Sequence, residues 1–192
     1  METPIQLIVG LGNPGPKYAE TRHNAGAQFV ETVADIQHVT LKDESKFQGR
    51  LGKANIDGQT TWLLIPNTYM NLSGQSVKAV ASYYKIPPEA ILAIHDELDF
   101  PPGTVKFKFG GGLGGHNGLK DIVSHMHTKD FHRLRIGIGH PGDPNMVADY
   151  VLKPPRKAEE EKIADAMQAA LGVISEYVKG NQQAVMQNLH TM

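Results

Sequence analysis

Cysteine is missing from all 192 residues. That absence excludes a disulfide framework, a thiolate zinc site and a cysteine nucleophile together, and it is compatible with a reducing compartment. Long apolar runs are missing too: none approaches the roughly 20 residues that a bilayer crossing needs. Met1-Glu2-Thr3-Pro4 carries no basic stretch leading into an apolar one, so no secretory signal is expected. A soluble, cytoplasmic protein is the expectation. There is no G-x-S-x-G elbow either, which leaves covalent nucleophilic catalysis without a candidate. No internal repeat, low-complexity tract or long linker divides the chain, whose length suits one globular domain over residues 1–192.

A large net charge is also lacking, since the formal total is -1. The distribution says more than the sum. Between residues 101 and 140, Lys106, Lys108, Lys120, Lys129, Arg133 and Arg135 face only Asp121 and Asp130, and five of the nine histidines lie there. A local basic face on a neutral protein fits a polyanion held at one place, although scattered solvated lysines would give the same composition.

Short β-branched runs predict strands at Ile5–Gly10, Arg50–Ile56, Thr61–Ile65, Ile91–His95, Val105–Phe109 and Arg133–Gly139, with Asp57-Gly58 turning a hairpin between the second and third. Helical periodicity alternates with them. Phe29, Val33 and Ile36 share a face, as do Val77, Val80 and Tyr84, and Leu119, Ile122, Val123 and Met126. After Pro154-Pro155, the spacing of Ile163, Met167, Ala170, Ile174 and Tyr177 predicts one helix stopped by Gly180, followed by a shorter one near 182–189. The C-terminal helices thus span about 156–190. The pattern predicts an α/β single domain: a twisted mixed β-sheet flanked by helices in a three-layer α/β/α arrangement.

Four loops rich in Gly, Asn, His and Asp follow strands, where open α/β sheets form their ligand crevice. In the first, Gly10, Gly12 and Gly15 spell G-x-G-x-x-G, the dinucleotide fingerprint. Pro14 and Pro16 remove backbone donors and oppose an immediate helix start, which argues against that use. His23, just before the next helix, has an imidazole suited to general-base work near neutral pH, or to a surface or capping place. In the second loop, Asn71 fits a helix N-cap or a carboxamide that both donates to and accepts from a substrate. The third, His95-Asp96-Glu97-Leu98-Asp99, holds a carboxylate that can orient a base; without a His/carboxylate ligand spacing, no metal is expected. The fourth, Gly110 to Gly118, lets backbone approach a ligand, and the absence of G-K-[ST] excludes a P-loop. His116 and Asn117 stand where its helix begins, with Asn117 also suited to an N-cap. Lys106 and Lys108, alternating with Phe107 and Phe109, share a face open to phosphates. One His, one Asp and several Asn suit water attack assisted by a general base, with amide donors steadying an oxyanion.

Gly-Leu-Gly-Asn-Pro-Gly-x-x-Tyr-x-x-Thr-Arg-His-Asn (10–24), Thr-Tyr-Met-Asn-x-Ser-Gly (68–74), His-Asp-Glu-Leu-Asp (95–99) and Gly-Gly-x-Gly-Gly-His-Asn-Gly (111–118) together resemble the signature blocks of bacterial-type peptidyl-tRNA hydrolases. The likeness runs from Ile5 to about Leu152, with a family-like helical tail. It implies hydrolysis of the ester joining a peptide to tRNA, by a monomer needing no metal or other cofactor. It further implies His23 as the base, Asp96 as its orienting partner, and Asn13 and Asn71 positioning the peptide end and the water. Asn117 would bind substrate and steady the oxyanion, while Tyr18, Met70 and His116 would line or gate the cleft. Lys106, Lys108 and Arg135, with Arg133 as a weaker member, would meet tRNA phosphates. His125 and His127 raise a metal site as an alternative to exposed positions. A non-catalytic RNA-binding protein on the same fold is the rival expectation, and a nicotinamide oxidoreductase the third.

Overall fold

A computed structural model describes residues 3–190. Seven strands form one mixed sheet in the order β2-β3-β4-β1-β5-β7-β6. They are β1 (Leu7–Gly10), β2 (Lys42–Glu44), β3 (Gly49–Ile56), β4 (Gln59–Pro66), β5 (Ile91–Glu97), β6 (Val105–Phe109) and β7 (His132–Gly137). The neighbours β4, β1, β5 and β7 run parallel, while β2, β3 and β6 are antiparallel to theirs. The helices are α1 (Ala25–Ile36), α2 (Ser73–Tyr84), α3 (Asn117–Met126), α4 (Val147–Val151), α5 (Lys157–Leu171), α6 (Ile174–Lys179) and α7 (Gln182–His190).

Two cores lie on opposite sides of the sheet. Ile8, Leu63, Leu92 and Leu134 pack with Phe29, Ile163 and Tyr177 of α1, α5 and α6, whereas Leu7, Val9, Leu64 and Ala93 pack with Val77, Val80, Leu119 and Ile122 of α2 and α3. Alternate strand residues point to alternate faces, so each parallel strand feeds both cores and reads as a nearly continuous apolar run. The three-layer α/β/α arrangement expected from the pattern is present. No helix among the described residues is long and apolar enough to cross a membrane.

Three details depart from the sequence expectations. Strand β2 is only three residues long and charged, so no apolar alternation announces it. Helix α4 follows a turn whose Asp143 side chain accepts from the Asn145 N–H. The single helix expected after Pro155 is two, because backbone bonding near Gly172 and Val173 shortens and Val173 leaves helical geometry at φ -120, ψ 0. Its apolar face continues across the break, which is why the spacing alone reads through it.

The chain leaves β1 toward β4 on one side and later places β5 on the other, so the order reverses beside β1. In such sheets the crevice opens outside the carboxyl ends at that reversal. The loop after β1 carries Asn13, and the carboxyl end of β5 itself carries Asp96, to this place.

Candidate active site

Close backbone packing positions the first member. A Cβ on Gly26 would collide with the Ile94 carbonyl, and one on Gly10 would meet the Gly26 carbonyl at 2.5 Å. The hydrogen-sized side chains therefore let α1 rest directly on β1 and β5. Gly10 and Gly12 serve this contact; α1 begins only at Ala25, well past the turn where a dinucleotide fingerprint would open a helix. The 3₁₀ turn Arg22–Asn24 leads into α1 and carries His23 over the end of β5.

There, His23 Nδ1 lies 3.0 Å from each oxygen of Asp96, and His116 Nε2 lies 2.9 Å from Oδ1. His116 Nδ1 accepts from the N–H groups of Gly118 and Leu119 at 3.1 and 3.3 Å. Its proton is therefore assigned to Nε2, which donates to Asp96. Asn117 is the first residue of α3, and His116 is its N-cap. Asp96 is thus a buried acceptor for two imidazoles. Burial alone would raise its pKa, but the charges and hydrogen bonds of His23 and His116 outweigh that and hold it well below the usual carboxylate range. For His23, burial pulls the pKa down, and the Asp96 charge and hydrogen bond more than offset it, leaving the value above 6.5. His95 behaves oppositely: burial first, then His116, pushes it down to about 3. Its Nδ1 donates to the Asp96 carbonyl at 2.8 Å, so it is a neutral spacer beneath the pair.

The ligand atoms of His23, Asp96 and His116 lie within 4.8 Å of one another, close enough to surround an ion. The protonation pattern opposes it. A metal on His116 Nε2 would have to displace that proton while Nδ1 still accepts from the backbone, producing an imidazolate or breaking the cap of α3. His125 donates to the Asp121 carbonyl at 2.9 Å, and His127 is exposed in left-handed conformation at the end of α3. The two do not form a metal group among the described residues.

A cavity of about 300 Å³ lies over the pair, bounded by His23, Asp96, His116, Asn117 and, from α4, Val147 and Val151. Asn117 is exposed with no hydrogen bond from its side chain among the described residues, so its carboxamide is free. Asn13 borders a separate cavity of about 220 Å³ with Asn24, Arg50 and Pro66. Its Oδ1 accepts from the Met70 N–H at 2.7 Å, which leaves Nδ2 to donate. Asn24 was not singled out by sequence reasoning, yet it holds the Asn13 backbone in both directions at 2.9 Å. Its adjacency to His23 and its place at the end of the 10–24 block were the available signals.

The remaining expected residues stand in different settings. Tyr18 is half-buried, edge-on to Tyr69 at 6.4 Å. Asn71 is exposed in the turn before α2 and does not cap that helix; the Gly74 N–H is instead met by Asp121 of α3 at 2.7 Å. Met70, expected to line the cleft, is 4% exposed in the core beneath α2 and α3. Lys106 and Lys108 stand opposite Arg135 and Arg133 across β6 and β7, and Arg135 lies with Lys106 against Phe100. Arg133 needs correction. It is 1% exposed, and its guanidinium donates to the carbonyls of Gly112, Gly111 and Lys129, so it anchors the glycine loop and presents nothing to a phosphate.

Arg22 is a second residue missed by sequence reasoning. Buried beside His23, it donates to the Tyr150 carbonyl at 2.9 Å, pairs with Glu159 at 3.0 Å and lies 3.8 Å over the Tyr150 ring. It ties the turn bearing His23 to the α4 wall of the cavity.

A mixed parallel-centred sheet flanked by helices, with a carboxylate-held imidazole at its switch point, defines an α/β class with a polar His–Asp site at the carboxyl ends of its strands. The comparisons place it within that class. A family model described as peptidyl-tRNA hydrolase matches residues 7–192. Proteins named peptidyl-tRNA hydrolase from a Marinomonas species and from Pseudomonas putida are 55% and 54% identical, covering 97% and 98% of each chain respectively. The crystal structure of peptidyl-tRNA hydrolase from Acinetobacter baumannii superposes with a TM-score of 0.95 at 50% identity, covering 98% of this chain and 96% of that one. The chain belongs to the peptidyl-tRNA hydrolase family, and as expected it is an enzyme of the hydrolase class.

Proposed function

We propose that the chain hydrolyses the ester between the carboxyl end of a peptide and the 3′ ribose of tRNA, with His23 as general base. The observation that carries this is the two-oxygen hold of Asp96 on His23 Nδ1. It fixes the tautomer and leaves Nε2, bonded to no described group, as the basic nitrogen beside the cavity. Water bound there gives its proton to Nε2 as its oxygen adds to the ester carbon. Asp96 stays ionised and stabilises the imidazolium. The oxyanion accepts from the Asn117 carboxamide, while Asn13 and Asn71, with Tyr18, position the peptide side and the water. As the tetrahedral intermediate collapses, the carbon–oxygen bond to the ribose breaks and the imidazolium proton passes to the departing 3′ oxygen.

Lys106, Lys108 and Arg135 take the phosphates of the acceptor end, supported by their shared face on β6 and β7. The family resemblance supports action as a cytoplasmic monomer without a cofactor. The test is release of free tRNA from an N-acylated aminoacyl-tRNA in EDTA, wild type against His23→Ala. Cleavage lost in the variant is expected. Binding of tRNA without cleavage by the wild type would instead establish a non-catalytic RNA-binding protein.

A further inference from the structure

At the other end of the sheet from β6, strands β2, β3 and β4 and the end of α2 enclose a groove of about 550 Å³. Lys53 stands directly opposite Trp62, and Lys42 opposite Leu51, so both lysines share the face that carries the tryptophan. Trp62 stacks on Tyr84 at 4.2 Å with 22° between the planes. Tyr83, 59% exposed, meets Tyr84 edge-on at 4.8 Å. Cations already sit over these rings: Lys53 Nζ lies 5.8 Å from the Trp62 centroid and Lys46 Nζ 4.3 Å from that of Tyr83. None of the ion pairs among the described residues uses Lys42, Lys46 or Lys53. Glu44 is the one acidic residue against the groove, facing those three lysines and His38.

A solvated sheet edge needs lysines, but it does not need several aromatic rings half out of the core beside unpaired ammonium groups. Flat π-faces next to mobile cations are what a single-stranded nucleic acid requires: bases stack without regard to sequence, and phosphates meet the cations. The geometry points to this groove as a second nucleic-acid site, taking a single-stranded segment whose bases stack on Trp62, Tyr84 and Tyr83 while Lys42, Lys46 and Lys53 meet its phosphates. The groove shares no lining residue with the cavity of His23 and Asp96, so the assignment stands apart from the hydrolytic reading.

Trp62 is the only tryptophan in the chain, so its fluorescence reports on this groove alone. The full chain is titrated with a single-stranded oligoadenylate at several salt concentrations. Saturable quenching that weakens with salt is expected. The triple variant Lys42→Glu, Lys46→Glu, Lys53→Glu should raise the dissociation constant about 10-fold or more, with ester hydrolysis and the circular dichroism spectrum unchanged. Tyr83→Ala, on an exposed ring, should weaken binding without disturbing charge. Lys106→Ala with Lys108→Ala should leave the quenching intact. Absence of quenching, quenching indifferent to both groove variants, or an equal response to poly-glutamate would overturn the assignment, the last by showing a contact for any polyanion.

Discussion

Asp96 holds His23 by both carboxylate oxygens, each 3.0 Å from Nδ1, while accepting a further hydrogen bond from His116. One buried anion therefore sets the tautomer, the orientation and the basicity of the proposed base. Because His23 must be neutral to accept a proton, the acid limb of kcat/KM follows its pKa, which Asp96 holds above 6.5. Asp96→Asn removes the charge that raises it and replaces a charge-assisted hydrogen bond with at best a neutral one, while burial, which lowers it, stays. The limb should move to lower pH as the plateau falls about 10²–10⁴-fold. A pH profile of kcat/KM checks this, and an unmoved limb would assign the titration to another group.

His23→Ala removes the base while leaving Asp96 donor-filled by His116. Turnover should fall about 10²–10⁴-fold with tRNA affinity nearly unchanged. Single-turnover cleavage with a parallel binding titration separates the two, and near-normal turnover would displace His23 from the mechanism.

Gly26→Ala probes the contact that brings α1 onto β5. The new methyl meets the Ile94 carbonyl, part of a strand that cannot yield easily. Overpacking of this kind costs about 1–3 kcal/mol, which for a chain of this size lowers Tm by roughly 3–10 °C. Since His23 rides on the same turn, kcat should drop even at temperatures where the variant is fully folded. A melt and a rate at low temperature are the measurements, and a stable variant with unaltered kcat would show that the turn does not depend on this approach.

The layers and the contact of His23 with Asp96 were legible because local signals coincide with tertiary need. Apolar runs marked β1 and β5, and Gly, His and Asp at their carboxyl ends marked the crevice. Residues that act through position on a neighbour were not legible. Asn24 clamps Asn13 through backbone atoms, and Arg22 reaches residues 150 and 159, a separation that no local pattern encodes. Asn71 and Asn117 fitted N-caps by residue type, but Asp121 of α3 meets the Gly74 N–H at the start of α2, and His116, one residue earlier than Asn117, caps α3. Charge alone likewise could not divide the basic stretch into solvent-facing and buried members.

That division gives the sharpest contrast between neighbours. Lys106 and Lys108 keep ammonium groups on the face of β6, so each removal should weaken tRNA binding and flatten the slope of log affinity against log salt by about 1. Arg133 lies opposite Lys108 but spends its guanidinium on three carbonyls, fixing a loop whose Gly110, Gly111, Gly114 and Gly115 all have positive φ. Arg133→Ala should therefore leave the salt slope alone. It should cost about 1–3 kcal/mol of stability through carbonyls left without a partner, and lower kcat as the loop before His116 and Asn117 loosens. Affinities across a salt series, with melts of each variant, distinguish the two behaviours. A slope change in Arg133→Ala matching that of Lys108→Ala would return Arg133 to the phosphate-binding surface and require its guanidinium to swing out when tRNA arrives.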